Sequence, residues 1–182
     1  MKIASRLLLI YFCFFALQFC SSGNQTGPAK VHWDREVCPR CRMAVSDKTF
    51  STQIRANLPG KRSKVYYFDD FGCAILWLEE QAWKNEPNIE IWINHYQTGE
   101  WLAAKTSLFV KDQITPMDYR LGAINKEEAS EHAAEATIDF EAAVQYVFEL
   151  ERERTDPSNT PGNGDPELQR KLETWNSDNY GE

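Results

Sequence analysis

Lys64-Val65-Tyr66-Tyr67-Phe68-Asp69-Asp70-Phe71-Gly72-Cys73 reads as a strand that runs directly into a helix. Val65 to Phe68 are β-branched or aromatic, the residues that fit a pleated, half-buried surface. Asp69 and Asp70 then offer an acceptor for the unpaired N–H groups of a helical first turn. Beyond them Phe71, Ile75, Leu76, Leu78 and Trp83 recur at helical spacing, which predicts a helix from about Phe71 to Lys84 with Cys73 in its first turn.

Backwards from this stretch, Asn57-Leu58-Pro59-Gly60-Lys61-Arg62 is a turn, because Pro-Gly punctuates strongly. Thr49 to Ala56 is rich in β-formers and pairs naturally across that turn as a hairpin. Forwards, Asn85-Glu86-Pro87-Asn88 breaks the helix, and Ile89 to Asn94 alternates as a strand. Gln97 to Glu100 is a turn, with strands beginning at Trp101 and Leu108. The segment Ile114 to Tyr119 is irregular around Pro116. Lys126 to about Ala134 reads as a helix and Ala136 to Ile138 as a short strand. Asp139 caps a last helix from Phe140 to about Arg152, with Phe140, Val144, Val147, Phe148 and Leu150 on its apolar face. Strand, strand, helix, strand occurs twice. The expected fold class is α+β, built of two small ββαβ-type modules with antiparallel strands.

The ends read differently. Lys2 and Arg6 precede the apolar run Leu7 to Leu17, a charged region and a hydrophobic region too short for a comfortable membrane span. Gln18-Phe19-Cys20-Ser21-Ser22 follows, and a cysteine closing such a run is similar to a bacterial lipoprotein signal, with Cys20 as the lipidated first mature residue. Residues 1–19 are therefore expected to be a signal peptide. Residues 20–31, small, polar and Gly/Pro-bearing, are expected to be a tether, and residues 32–154 the domain. Residues 155–182, with Thr-Asp-Pro-Ser-Asn-Thr-Pro-Gly-Asn-Gly-Asp-Pro at their start, are expected to be a disordered tail.

The formal net charge of −7 becomes −9 once Lys2 and Arg6 leave with the signal. Such a chain does not attract nucleic acid through its net field, and anionic lipid is expected to repel it. Membrane contact is assigned to acyl chains at Cys20, which places the protein in the cell envelope as an anchored lipoprotein facing the periplasm. There is no Ser-His-Asp order, phosphate loop or distinctive acid pair, so an enzyme is not expected.

Three cysteines remain after the signal, Cys38, Cys41 and Cys73. An odd number argues against a framework of disulfides. Cys38-Pro39-Arg40-Cys41 suits a metal clamp or a redox pair. A thiol–disulfide oxidoreductase needs a strand before the pair and a long helix opening at its first cysteine, whereas here Arg42 to Thr49 soon turns into a strand. A structural or regulatory zinc site could take Cys38, Cys41, Cys73 and one histidine from His32, His95 or His132. Soft Cu(I) is the third reading. Cys41-Arg42-Met43 puts a thiolate and a thioether two residues apart, on one side of an extended segment. Met117 follows a proline in an irregular loop, a usual place for a ligand. Either methionine could equally be packing, since thioethers fill irregular gaps.

Cys38-Pro39-Arg40-Cys41-Arg42-Met43, then Tyr67-Phe68-Asp69-Asp70-Phe71-Gly72-Cys73, then Thr115-Pro116-Met117 resemble, in order and separation, the NosL family. Those proteins are lipoprotein copper chaperones associated with nitrous oxide reductase maturation. The resemblance covers roughly residues 33–150. It implies a two-module ββαβ fold and Cu(I) binding by Cys41, Met43 and Met117, with Cys38 matching the first cysteine of the motif. It also implies delivery of copper to a copper enzyme or its assembly machinery. Asp69, Asp70 and Cys73 match the middle block, though the two acids are equally an N-cap and Cys73 equally a small buried residue. The chain departs from the pattern twice: Arg42 and Asp118 stand where glycine is usual.

Overall fold

The computed structural model describes residues 25–131 and 137–155. The signal segment, Cys20, His132 and the tail from residue 156 onward lie outside the described residues.

The hairpin expected around Pro59-Gly60 forms β1 (Thr52–Ala56) and β2 (Lys64–Phe68), antiparallel, with Thr52 opposite Phe68 and Ala56 opposite Lys64. The strand begins at Thr52 rather than Thr49 for a local reason. The Asp47 carboxylate accepts the Thr49 N–H and hydroxyl, both at 2.7 Å, and so holds the chain in a turn just before the sheet. Helix α1 follows at Phe71–Glu79. It ends about five residues earlier than the apolar spacing suggests. Past Glu80 the chain makes separate turns, and Trp83 stacks back on Tyr66 at 5.9 Å and edge-on to Trp77 at 5.8 Å. The periodic Trp83 is half-buried by a turn, which apolar periodicity cannot tell from another helical coil.

Strands β3 (Ile89–Asn94) and β4 (Trp101–Ala103) complete an antiparallel sheet in the order β2-β1-β3-β4. Strand β1 is central and buried at every residue. Ile54 joins Phe68, Phe71, Ala74, Ile91 and Ile93 in the core under α1. A second antiparallel sheet, β6-β5-β7, comprises β5 (Leu108–Val110), β6 (Gly122–Ile124) and β7 (Thr137–Ile138). Strand β6 carries no β-forming pattern and is recruited by pairing with β5. A parallel bridge from His95 to Ala123 joins the two sheets. Between β6 and β7 the described part of the expected helix is a 3-10 helix, Lys126–Glu131. The last helix, α2 (Phe140–Thr155), packs on α1, and Phe71 contacts Phe109 and Phe140 with ring centroids 4.6 and 6.1 Å apart. The fold is α+β with antiparallel sheets of four and three strands. The strand expected to open the second module, β4, belongs to the first sheet instead.

Residues 25–31, read from composition as part of a tether, lie on the outer face of the first sheet. Gln53 and Arg55, the polar alternate positions of β1, bond the backbone at Ala29 and Gly27.

Candidate metal centre

Three segments build the site. In the first, residues 37–44 close on themselves. Val37 bridges Ala44, Cys38 N–H donates to Met43 O at 2.9 Å, and Arg42 N–H donates to Cys38 O at 3.0 Å. Arg42 adopts the left-handed conformation, φ 68°, that lets so short a loop reverse. Backbone N–H groups of Arg40 and Cys41 lower the Cys38 pKa, and that of Met43 lowers the Cys41 pKa. Such donors favour thiolates.

The second segment is the β2–α1 junction. Asp70 is the N-cap, its carboxylate accepting Gly72 N–H at 3.1 Å. With Asp70 committed to the helix, Asp69 is left to face the cysteines, joined by Cys73 from the first turn of α1. The third segment is the Pro-Met loop. The same Asp70 carboxylate accepts the Thr115 hydroxyl at 2.6 Å and Met117 N–H at 3.0 Å. Burial pushes the Asp70 carboxyl up, against these three donors. Tyr119 lies flat on Gly72, where a Cβ would meet its ring at 2.1 Å, so the close approach requires glycine.

One ligand atom each from Cys38, Cys41, Asp69 and Cys73 lies within 4.8 Å of the others. The three thiols are free. Cys38, Cys73 and Asp69 are buried, and Cys41 is half-buried against the core. The Cys41 thiol donates to both Asp69 oxygens, at 3.3 and 3.2 Å. The Cys73 thiol, donating to Cys38, and the loop N–H groups bring the Cys38 pKa down to about 7, against its burial. Burial and the neighbouring Asp69 and Cys38 push Cys41 up to about 12. Cys73 is pushed up further by its bond to Cys38 and by burial. The trio thus takes its first negative charge at Cys38 and keeps protons on the other two.

Helix α2 braces the site from outside. Glu151 accepts the Tyr119 hydroxyl at 2.9 Å and also pairs with Arg40, between the two loop cysteines. Arg154 donates to Met117 O at 3.0 Å and lies over the Tyr119 ring at 4.7 Å.

The structure brings Cys38 and Cys41 together, as the spacing predicts, and adds Cys73 and Asp69. Met43 stands at the loop's outer side, 47% exposed. Met117 is partly buried against the core, its N–H held by the Asp70 carboxylate. His32 pairs with Glu36 at 2.9 Å, and buried His95 with Glu128 at 2.6 Å, so neither belongs to the cysteine cluster. The fourth position offered to a histidine in the zinc reading is taken by a carboxylate. Its sequence signal was the doubled acid, since one aspartate suffices to cap a helix.

The donor set fits a thiophilic cation. Three sulfurs and a carboxylate in a buried cluster repel one another once ionised, and a metal ion offsets that cost. A redox pair is poorly matched, because no helix opens at Cys38 and a third thiol sits within the cluster. Compared with known proteins, the chain matches no family model and no curated protein.

Proposed function

We propose that the protein is an exported Cu(I)-binding metallochaperone, anchored in the cell envelope by lipid at Cys20 and facing the periplasm. It carries copper to a copper enzyme such as nitrous oxide reductase, or to that enzyme's assembly machinery. The observation that carries the reading is the convergence of Cys38, Cys41 and Cys73 with Asp69. Soft thiolates hold Cu(I) at low coordination number and disfavour hard ions. The copper is cargo, and the transfer is ligand exchange: a partner's donors replace these sulfurs one at a time without a change of oxidation state.

The resemblance to the NosL family gains support from the backbone. Both positions at which this chain carries a side chain where that family's pattern has glycine, Arg42 and Asp118, are left-handed, with φ 68° and 56°. Glycine is the residue that such conformations favour. The Asp70 clamp also ties Thr115-Pro116-Met117 to the N-cap of α1. Met43, exposed on the loop, and Met117, partly buried against the core, are the thioether donors of this reading.

The reduced protein, titrated with Cu(I) against a competing chelator, should bind about one equivalent. The Cys41→Ser/Met43→Leu variant should lose at least tenfold in affinity. Equal affinity in the two proteins would overturn the copper reading.

One observation favours a second reading, a structural or regulatory zinc site. Asp69 is a harder donor than sulfur, and with the three cysteines it completes a four-donor set suited to zinc. Protein purified without added copper decides between them. Stoichiometric zinc that survives replacement of both Met43 and Met117 supports the second reading.

A further inference from the structure

The strap formed by residues 25–31 runs antiparallel to β1. Asn57 Nδ2 donates to Gln25 O at 3.2 Å, and Arg55 Nε to Gly27 O at 2.8 Å. The Gln53 amide grips Ala29 twice, donating to its carbonyl at 2.9 Å and accepting its N–H at 2.8 Å. Glu90 accepts Gly27 N–H at 2.7 Å. Gln53, Arg55 and Asn57 are at most 7% exposed, so lifting the strap would strip buried polar groups of their partners. The strap is therefore part of the domain, and its direction has a meaning.

Gln25 lies at the end of the sheet where Ala56 faces Lys64 and Ile89. The cysteine cluster lies at the other end, where Thr52 faces Phe68 and the chain continues into Asp69. Everything before Gln25 therefore joins the domain at the end remote from the thiols. At that end the β1–β2 turn, Leu58-Pro59-Gly60-Lys61-Arg62-Ser63-Lys64, carries three exposed cations, Lys61, Arg62 and Lys64. Arg55, which grips the strap, also donates to Ser63 Oγ at 3.0 Å and so ties strap to turn. Two acids lie nearby, Glu90, which accepts from the neutral N–H groups of Gly27 and Trp92, and Glu86, half-buried in the turn before β3, so the three exposed cations outnumber them. A chain of net charge −7 thus presents a basic tip where its N-terminal segment departs.

We propose that the Lys61-Arg62-Ser63-Lys64 tip rests on an anionic lipid surface, with the strap turning the cysteine cluster away from the membrane toward a soluble partner. The orientation rests on the anchor at Cys20 given above. Cys20 precedes Gln25 by five residues, a leash of at most about 17 Å at full extension. That keeps the tip within about two Debye lengths of the headgroups at physiological salt. Each basic residue at such a surface strengthens association about fivefold.

The test uses the full chain with vesicles of neutral lipid and with vesicles holding one third phosphatidylglycerol, mapped by lysine acylation and mass spectrometry. Lys61 and Lys64 should be acylated several-fold more slowly on the anionic vesicles only. Lys48, exposed near the cluster end, should react alike on both. The Lys61→Gln/Arg62→Gln/Lys64→Gln variant should bind anionic vesicles no better than neutral ones while keeping its metal affinity. Association with both vesicles, with Lys61 and Lys64 as reactive as Lys48, overturns the orientation and leaves the anchor standing. Equal protection on both compositions overturns the headgroup contact. Association with neither overturns the tip contact and the anchor together. Metal binding on the same samples is read independently.

Discussion

The two sulfur-bearing loops are held in different ways. Residues 37–44 are closed by their own backbone, through bonds between Cys38 and Met43 and between Arg42 and Cys38, with Arg40 reaching out to Glu151 of α2. The Pro-Met loop makes its own turn, Asp118 N–H to Thr115 O at 3.0 Å, but is fixed in place by side chains of distant elements: Asp70 from the β2–α1 junction and Arg154 from α2. A loop closed by its own backbone is specified within a few residues. A loop fixed in place by another element is specified only once that element is in place. The difference predicts where each loop fails.

The largest effect is expected from Asp70→Ala. It removes a cap and two hydrogen bonds to a buried carboxylate, about 3–5 kcal/mol together. Thermal unfolding should shift down strongly, and amide exchange should quicken in residues 115–119 while residues 37–44 stay protected. Equal loss in both loops would break the comparison.

Next comes pH. Cys41 at about 12 and Cys73 pushed higher are protonated at neutrality, so binding as thiolates must release both protons. Metal affinity should therefore fall as pH falls, about a hundredfold per unit above pH 7. The fall should be steeper below 7, where Cys38, brought down to about 7, also holds a proton. Proton release during a metal titration in weak buffer measures this directly, and a pH-independent affinity would contradict thiolate binding.

Gly72→Ala should cost about 1–3 kcal/mol, since the new Cβ would meet the Tyr119 ring. Chemical denaturation would measure it, and the variant Gly72→Ala/Tyr119→Ala should recover the part due to that clash. The smallest effect is a gain. Arg42→Gly relieves a left-handed side chain and should stabilise by about 1 kcal/mol. Asp118→Gly should gain less, because Asp118 bonds Arg120 and Arg154 and aspartate tolerates this conformation. A larger gain at 118 than at 42 would reverse the ordering.

Much of this was legible in the chain. The alternation in β3, the Pro-Gly hairpin and the Asp cap followed from local residues, because strand, turn and cap preferences act over a few positions. The pairing of Cys38 with Cys41 did too. The end of α1 was not legible, since Trp83 satisfies helical spacing from within a turn. Nor was β6, whose Gly-Ala-Ile has no pattern of its own and takes its conformation from β5. The strap looked like a leash because its composition is polar, and the partners that pin it lie 24 to 63 residues further along.

The metal centre divides in the same way. The sequence by itself determined that two thiols share one tight loop and that a third opens a capped helix. Only the tertiary structure decided that all three meet, and that Asp69 rather than a histidine completes the set. The physical reason is range. A cap or a reversed loop is decided by hydrogen bonds between neighbours. The meeting of Cys38 with Cys73 depends on α1 burying its apolar face under β1 and β2, and only the packed core supplies that position.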